Sequence, residues 1–377
     1  MTNRLKKGNR VLLIDNETTA SVLAMPDVVT ALEQAYRDLA AGEAICRPRI
    51  DMRLPIDDRA IYQWGTMEGG SAASGYYAIR MKSDVLTEVE YGGTRTQEKH
   101  CVQPGTFCGL VFLLSARTGE PLAILNDGVL QHMRVGADSA IGTKFGSRED
   151  ARVLGMLGSG GMARSHLEAL LTVRPLERVQ VYSPTKANRE AYAAEMSERH
   201  GVEVVAVDEA RDAFRGADIV SGCTDAAADV IVGDWLEPGT HVTSIGGGVD
   251  ARAREVFDVW LRLGTAPAPL NDPDWRPTDE FLAYAARPSD AVWGHHRHGR
   301  VRRLPEGPGA PRVVTFEEVL TGADKARNSD TEITFSERGN IQGAQFFAVS
   351  GLIYEKCRER GLGHELPTSW FLQDIRD

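Results

Sequence analysis

The stretch from Arg152 to Leu171 restricts the fold more than any other part of the chain. Val153, Leu154, Met156 and Leu157 form a short apolar run, the pattern of a buried parallel strand. Gly158-Ser159-Gly160-Gly161-Met162-Ala163 follows, which is the G-x-G-x-x-[GA] spacing of a dinucleotide-binding turn, and a helical pattern starts there. Gly158 permits the sharp turn, Gly160 lets backbone approach a pyrophosphate, and Ala163 lets the helix press on the strand. The free N–H groups of the first helical turn then face the anion.

After this turn, strand and helix patterns alternate. Strands are expected at Val179–Tyr182, Val202–Val207, Asp218–Cys223, Val242–Ile245 and Val256–Leu261, with helices at Asn188–His200 and Ala210–Phe214. That alternation implies a doubly wound parallel α/β sheet. The segment before it differs. A strand at Val11–Ile14 precedes an amphipathic helix in which Val28, Leu32, Ala35, Tyr36 and Leu39 share a face. Strand patterns follow at Ala60–Trp64, Tyr76–Met81, Gly109–Leu114 and Pro121–Leu125, then a long helix over Asp127–Phe145. A Pro- and Gly-rich stretch from Gly264 to Arg312 is too long for an ordinary loop and reads as an insertion. Val314–Leu320 resumes a strand–helix pattern, and Gly343–Arg360 reads as a closing helix.

With 53 acidic against 43 basic residues the net charge is -10, and outside the short Arg4–Arg10 tail no basic stripe exists. Nucleic acid and anionic membranes are therefore poor partners. No apolar run approaches a membrane span and no signal peptide is visible, so the expected location is the cytoplasm. Cys46, Cys101, Cys108, Cys223 and Cys357 are odd in number and scattered, as in a reducing compartment. His295-His296-Arg297-His298 matches no standard zinc spacing, so no metal is expected.

At the end of the second strand of the dinucleotide unit, a carboxylate would bind the ribose hydroxyls of NAD. Ser183 stands there instead. Thr185, Lys186 and Arg189 follow, offering a hydroxyl and two cations suited to a 2′-phosphate, so NADP(H) is favoured over NAD(H). Cys223 and Thr224, with Gly246 and Gly247 after the Val242–Ile245 strand, complete the expected cofactor contacts.

Several segments join the glycine turn in a wider pattern. They are Arg47-Pro48-Arg49-Ile50, Thr118-Gly119-Glu120-Pro121-Leu122-Ala123, Met133-Arg134-Val135-Gly136-Ala137, Thr143-Lys144-Phe145, Ser244-Ile245-Gly246-Gly247, Leu320-Thr321-Gly322 and Asp330-Thr331-Glu332-Ile333-Thr334-Phe335. Together they resemble the ornithine cyclodeaminase/μ-crystallin family. The resemblance covers most of the chain in the family's order and implies a Rossmann domain at 148–335, carrying the insertion near 264–312. It also implies a strand-rich α+β substrate and dimerisation domain from 1–147 with 336–377.

The resemblance further implies a homodimer acting on a small amino or imino acid. The family's activities share an imine next to a carboxylate, with hydride exchanged at the imine carbon. A dehydrogenase or imine reductase is the leading expectation, an ammonia-releasing cyclodeaminase the nearest alternative, and a non-catalytic ligand binder a third. By motif, the family's carboxylate-binding arginines map onto Arg49 and Arg134. Ungapped matching puts Arg80 where the family has its catalytic lysine, while Lys82 lies two residues on and faces the same side of a strand. An Arg does not shuttle protons at neutral pH, so Lys82 is the expected proton donor and Arg80 a further carboxylate ligand. Cyclodeaminases carry an Asp directly after Ile-Gly-Gly. Gly248 stands there, which counts against cyclodeamination, and Asp250 would replace it only through a rearranged loop.

Overall fold

The computed structural model describes residues 10–91, 94–226, 228–267, 281–286, 305 and 309–375. The first part of the chain runs β1 (Arg10–Ile14), α1 (Asn16–Val22), α2 (Met25–Ala40), β2 (Ala44–Cys46), β3 (Arg49–Pro55), β4 (Ala60–Ser71) and β5 (Tyr76–Tyr91). It continues with β6 (Thr94–His100), β7 (Cys108–Ser115), β8 (Pro121–Asn126) and α3 (Gly128–Gly146). The second part runs β9 (Val153–Leu157), α4 (Gly161–Leu170), β10 (Arg178–Tyr182), α5 (Lys186–His200), β11 (Glu203–Ala206), β12 (Ile219–Gly222), β13 (Asp229–Ile231) and β14 (His241–Ser244). After these come β15 (Gly248–Val249), α6 (Ala251–Val256), β16 (Val259–Arg262), β17 (Phe281–Ala285), β18 (Arg312–Thr315), α7 (Phe316–Thr321), β19 (Thr334–Glu337), α8 (Gln342–Arg360) and β20 (His364–Pro367).

Eight strands form a parallel sheet in the order β11-β10-β9-β12-β14-β19-β16-β18. The chain reverses its direction of winding between β9 and β12, so their carboxyl ends border the crevice where such sheets bind ligands. The other large sheet is mainly antiparallel, with the path β17-β3-β4-β5-β7-β8-β1-β20. The face of α2 expected from the sequence is the one that packs: Val28, Leu32, Ala35 and Tyr36 are buried, and Leu39 is half-buried against them. Each large apolar side chain buried there contributes about 1.5–3 kcal/mol.

Among the departures from the sequence reading, three alter the sheets. The strand after Tyr76 runs on to Tyr91 and pairs with β6, a hairpin whose polar and charged residues hid it from a hydrophobicity pattern. The strand expected from Val256 begins at Val259, because Asp250 caps a short helix over Ala251–Val256. Within the 264–312 insertion, β17 leaves the parallel sheet and adds a parallel strand beside β3, with Phe281 opposite Arg49. Only the tertiary fold brings those strands together.

Candidate active site

Strand alternation divides β3 into two faces. Arg49, Asp51 and Arg53 face inward, whereas Met52 and Leu54 lie on the outer face and are about half exposed. On β5 the inward residues are Arg80, Lys82 and Asp84, all buried. Register then lays these groups across the sheet: Asp51 lies opposite Gly65, Gly65 opposite Lys82 and Lys82 opposite Gly109. The glycines flanking Lys82 make room for the charges. A Cβ at Gly65 would stand 2.5 Å from Asp51 Oδ1 and 2.8 Å from Lys82 Cε, so a larger residue would push the lysine from its place.

Lys82 Nζ donates to Asp84 Oδ2 at 2.8 Å. Burial lowers its pKa to about 8, helped by the nearby Arg49 and opposed by Asp84 and Asp51. Arg49 forks onto Asp51 at 2.8 and 2.6 Å. Arg80 Nε meets Asp127 Oδ2 at 2.6 Å, and the Arg80 guanidinium also lies over the rings of Phe107 and Phe346. The matching Oδ1 atoms of Asp84 and Asp127 are buried without a hydrogen-bond partner.

Arg134 projects from the first half of α3. It is only 3% exposed, lies over the Phe346 ring at 5.0 Å, and donates to Gln131 and Gln345. Among the described residues it makes no ion pair. Burial, with Arg338 and Arg80 nearby, lowers its pKa to about 9. A guanidinium so placed, without its own carboxylate, suits a carboxylate arriving from solution.

A cleft of about 910 Å³ lies at the carboxyl ends of β9, β10 and β12. Gly158, Ser159, Gly160, Gly161, Met162, Ser183, Thr185, Cys223, Thr224 and Gly246 line it, all of them positions the sequence reading names as cofactor contacts. Gly158 has φ +118, and a Cβ there would stand 2.1 Å from the Cys223 carbonyl oxygen. Gly160 faces open space and provides no side-chain cap to α4, which leaves the first-turn N–H groups for an anion. These features fit a dinucleotide. Ala163 is buried under the helix as expected from its packing role, and the Cys223 thiol, pushed up to about 12 by burial, stays protonated at neutral pH. A Gly158→Ala variant is expected to lose about 1–3 kcal/mol of stability and roughly tenfold or more in dinucleotide affinity, read by thermal melting and fluorescence titration.

Other expected positions fall elsewhere. Arg189 is turned away from the cleft, donating to the Ser183 carbonyl at 3.0 Å and to Asp208 at 2.6 Å. Lys186 is exposed and leans on Glu190 at 3.7 Å. Neither of the two cations assigned to a 2′-phosphate is among the residues lining the cleft: Arg189 is buried and holds the loop, and Lys186 is exposed at the start of α5. Gly247 turns the chain behind the cleft wall against Thr224 and Val230. Asp250 is occupied as the cap of α6, accepting from Ala253 and Gly233 N–H, so it does not replace the missing carboxylate at Gly248. Asp229 comes nearer: its Oδ1 would be 1.6 Å from a Cβ at Gly248, and it lines the cleft. Asn340 and Gln342 hold loops, Asn340 accepting from Ala266 N–H at 2.6 Å and the Gln342 amide donating to the Asn340 carbonyl while accepting from Arg338 Nη2.

His132, which flanks the arginine of α3, also lines the cleft, as does Lys99, which the sequence does not single out. Lys99 arrives through the unrecognised β6, where it lies opposite Leu86 on the face that carries Lys82. The histidine run at 295–298 lies outside the described residues, and among those described no group of His, Cys, Asp and Glu could hold a metal. No described helix is long and apolar enough to cross a membrane.

Residues 13–261 match the model of the ornithine cyclodeaminase/mu-crystallin family. A Delta(1)-pyrroline-2-carboxylate reductase of Bacillus cereus is 32% identical over 94% of this chain and 99% of its own. An alanine dehydrogenase of Archaeoglobus fulgidus is 24% identical over 94% of this chain and 98% of its own. The solved Delta(1)-pyrroline-2-carboxylate reductase of Thermococcus litoralis, in complex with NADH and L-proline, has the same fold. It superposes with a TM-score of 0.69 over 94% of this chain and all of its own, at 21% identity.

Proposed function

The chain belongs to the ornithine cyclodeaminase/mu-crystallin family, and we propose that it is a nicotinamide-dependent imine reductase or amino-acid dehydrogenase. The observation that carries this reading is the pairing of two features in one chain: a buried ammonium, Lys82, close to the guanidinium of Arg49 and on the same strand face as Arg80, and a glycine-turn cleft that Lys99 reaches from the same sheet. Arg49 and Arg134 hold the carboxylate of the imino acid, and Arg80 assists through the N–H groups not given to Asp127. Lys82 gives a proton to the imine nitrogen, or takes one from the amine in the reverse direction. A bound nicotinamide supplies or accepts the hydride. The relatives named as a reductase and a dehydrogenase support this reading.

Residues 1–147 with 336–377 form the substrate module, to which β17 adds an edge strand, and the rest of 148–335 the cofactor module. NADP(H) is the favoured cofactor. Support comes from Ser183, which stands where a carboxylate would repel a 2′-phosphate, and from the Thr185 hydroxyl and Asn188 amide on the same rim. Arg189 contributes by holding the Ser183 loop rather than by touching phosphate. The assembly is a homodimer, supported by the exposed apolar stripe of Met52, Leu54 and Tyr284 on the outer face of β3 and β17.

Fluorescence titration with NADPH and NADH, followed by a screen of 2-oxo acids with ammonia or amines, tests the reading. Tighter NADPH binding and cofactor consumption on an oxo-acid–amine pair are expected. Ammonia release from a diamino acid with no net change in nicotinamide absorbance would instead establish a cyclodeaminase, and tighter NADH binding would refute the cofactor assignment.

A further inference from the structure

A second hollow, of about 150 Å³, lies between α3 and the turn that joins β19 to α8. A hollow of that size holds a guest the size of benzene. Ile245 lines both this hollow and the dinucleotide cleft, so the two meet at the carboxyl end of β14. Resting on the reductase reading, we infer that the hollow receives the substrate's side chain and that Arg338 selects an acidic one. The preferred imine is then that of a dicarboxylic 2-oxo acid.

Position argues for a side-chain pocket. Asp138, on the wall, stands one helical turn after Arg134, and the Gln345 amide joins them: its oxygen accepts from Arg134 Nη1 at 2.5 Å and its nitrogen donates to Asp138 Oδ1 at 2.9 Å. A substrate whose carboxylate rests on Arg134 therefore has the hollow beside it.

Charge argues for an acidic group. Of the two acids of the wall, Glu337 pairs with the buried Arg262, and Asp138 accepts from Tyr36 and Gln345, both on Oδ1; burial raises the Asp138 pKa, with Arg338 the foremost charge opposing that rise. Arg338 makes no ion pair among the described residues. Its Nε is buried without an acceptor, and Nη2 donates to the Gln342 amide oxygen at 3.0 Å. A buried N–H without an acceptor is costly, and a carboxylate meeting the guanidinium removes that cost with charge-assisted hydrogen bonds. The ordinary alternative is that Arg338 only braces Gln342. That role uses one nitrogen and leaves Nε unexplained.

The test compares kcat/KM for oxaloacetate and 2-oxoglutarate against pyruvate and 2-oxobutyrate, each with ammonia or methylamine, on the full chain with NADPH. The dicarboxylic acids are expected to lead by about 10- to 100-fold, chiefly through KM. Arg338→Met should bring that ratio close to one and Arg338→Lys should keep part of it. A monocarboxylic preference, or a ratio unmoved in Arg338→Met, overturns the inference and leaves the reductase reading standing.

Quenching of bound NADPH emission by succinate or glutarate, against butyrate, needs no turnover. Selective quenching lost in Arg338→Met, with no oxo acid reduced, upholds the acidic pocket and sinks the reductase reading. Absence of both selective quenching and turnover overturns both. If Arg338→Met does not fold, Arg338→Lys and the unaltered protein's own ligand preference decide.

Discussion

Lys82→Met is expected to lower kcat for imine reduction by about 10²–10⁴, the usual contribution of a positioned general acid. The sign of its pH dependence follows from the ammonium's surroundings. Burial and Arg49 bring the lysine to a pKa of about 8 against the pull of Asp84 and Asp51. Reduction uses the protonated form, so its rate should fall as pH rises through about 8, while amine oxidation uses the neutral form and should rise over the same interval. In Lys82→Met both limbs should vanish. Lys82→Arg keeps the charge and cannot shuttle a proton, so it should resemble Lys82→Met in rate while preserving binding better. A Lys82→Met protein that keeps full rate and the same limb would exclude the lysine from the chemistry.

Arg134→Met should raise KM for the oxo or imino acid by roughly 10²-fold, since truncating a buried charge-assisted partner costs about 2–5 kcal/mol. Cofactor affinity should change far less, because Arg134 is not among the residues lining the dinucleotide cleft. Stability should move the other way. Arg134 is 3% exposed, has no ion pair among the described residues and lies near two other guanidinium groups; replacing such a buried charge with an apolar side chain is often stabilising. The expected result is a melting temperature at or above that of the unaltered protein together with lost substrate binding. A large drop in melting temperature would mean instead that Arg134 is mainly a structural strut for Gln131 and Gln345.

The cofactor half of the molecule was largely legible because its chemistry is local. One strand, one glycine turn and one helix are contiguous from Val153 to Leu170, and Gly158 is required there by a positive φ and the nearby Cys223 carbonyl. The ribose rim was less legible. Lys186 and Arg189 have suitable charge and spacing, but side-chain direction depends on Asp208 and Glu190, which compete for them. The substrate half was legible in residue type and opaque in pairing: Arg49, Arg80, Lys82 and Arg134 could be named, whereas their carboxylate or amide partners could not.

The amino-acid order alone determined the period-2 alternation that puts Arg80 and Lys82 on one face, the glycine turn, the family pattern and the lack of a carboxylate at Gly248. Those properties depend on neighbours within a few residues. Tertiary structure alone decided that Lys82 lies between two glycines of other strands, that Lys99 reaches the cleft by way of β6, and that Asp229 fills the space above Gly248. It also decided that Arg338 lines a hollow beside Asp138. Each of these depends on strand register or on helices brought together from distant parts of the chain, and the burial and competing charges that set a side chain's protonation and direction exist only once that packing is complete.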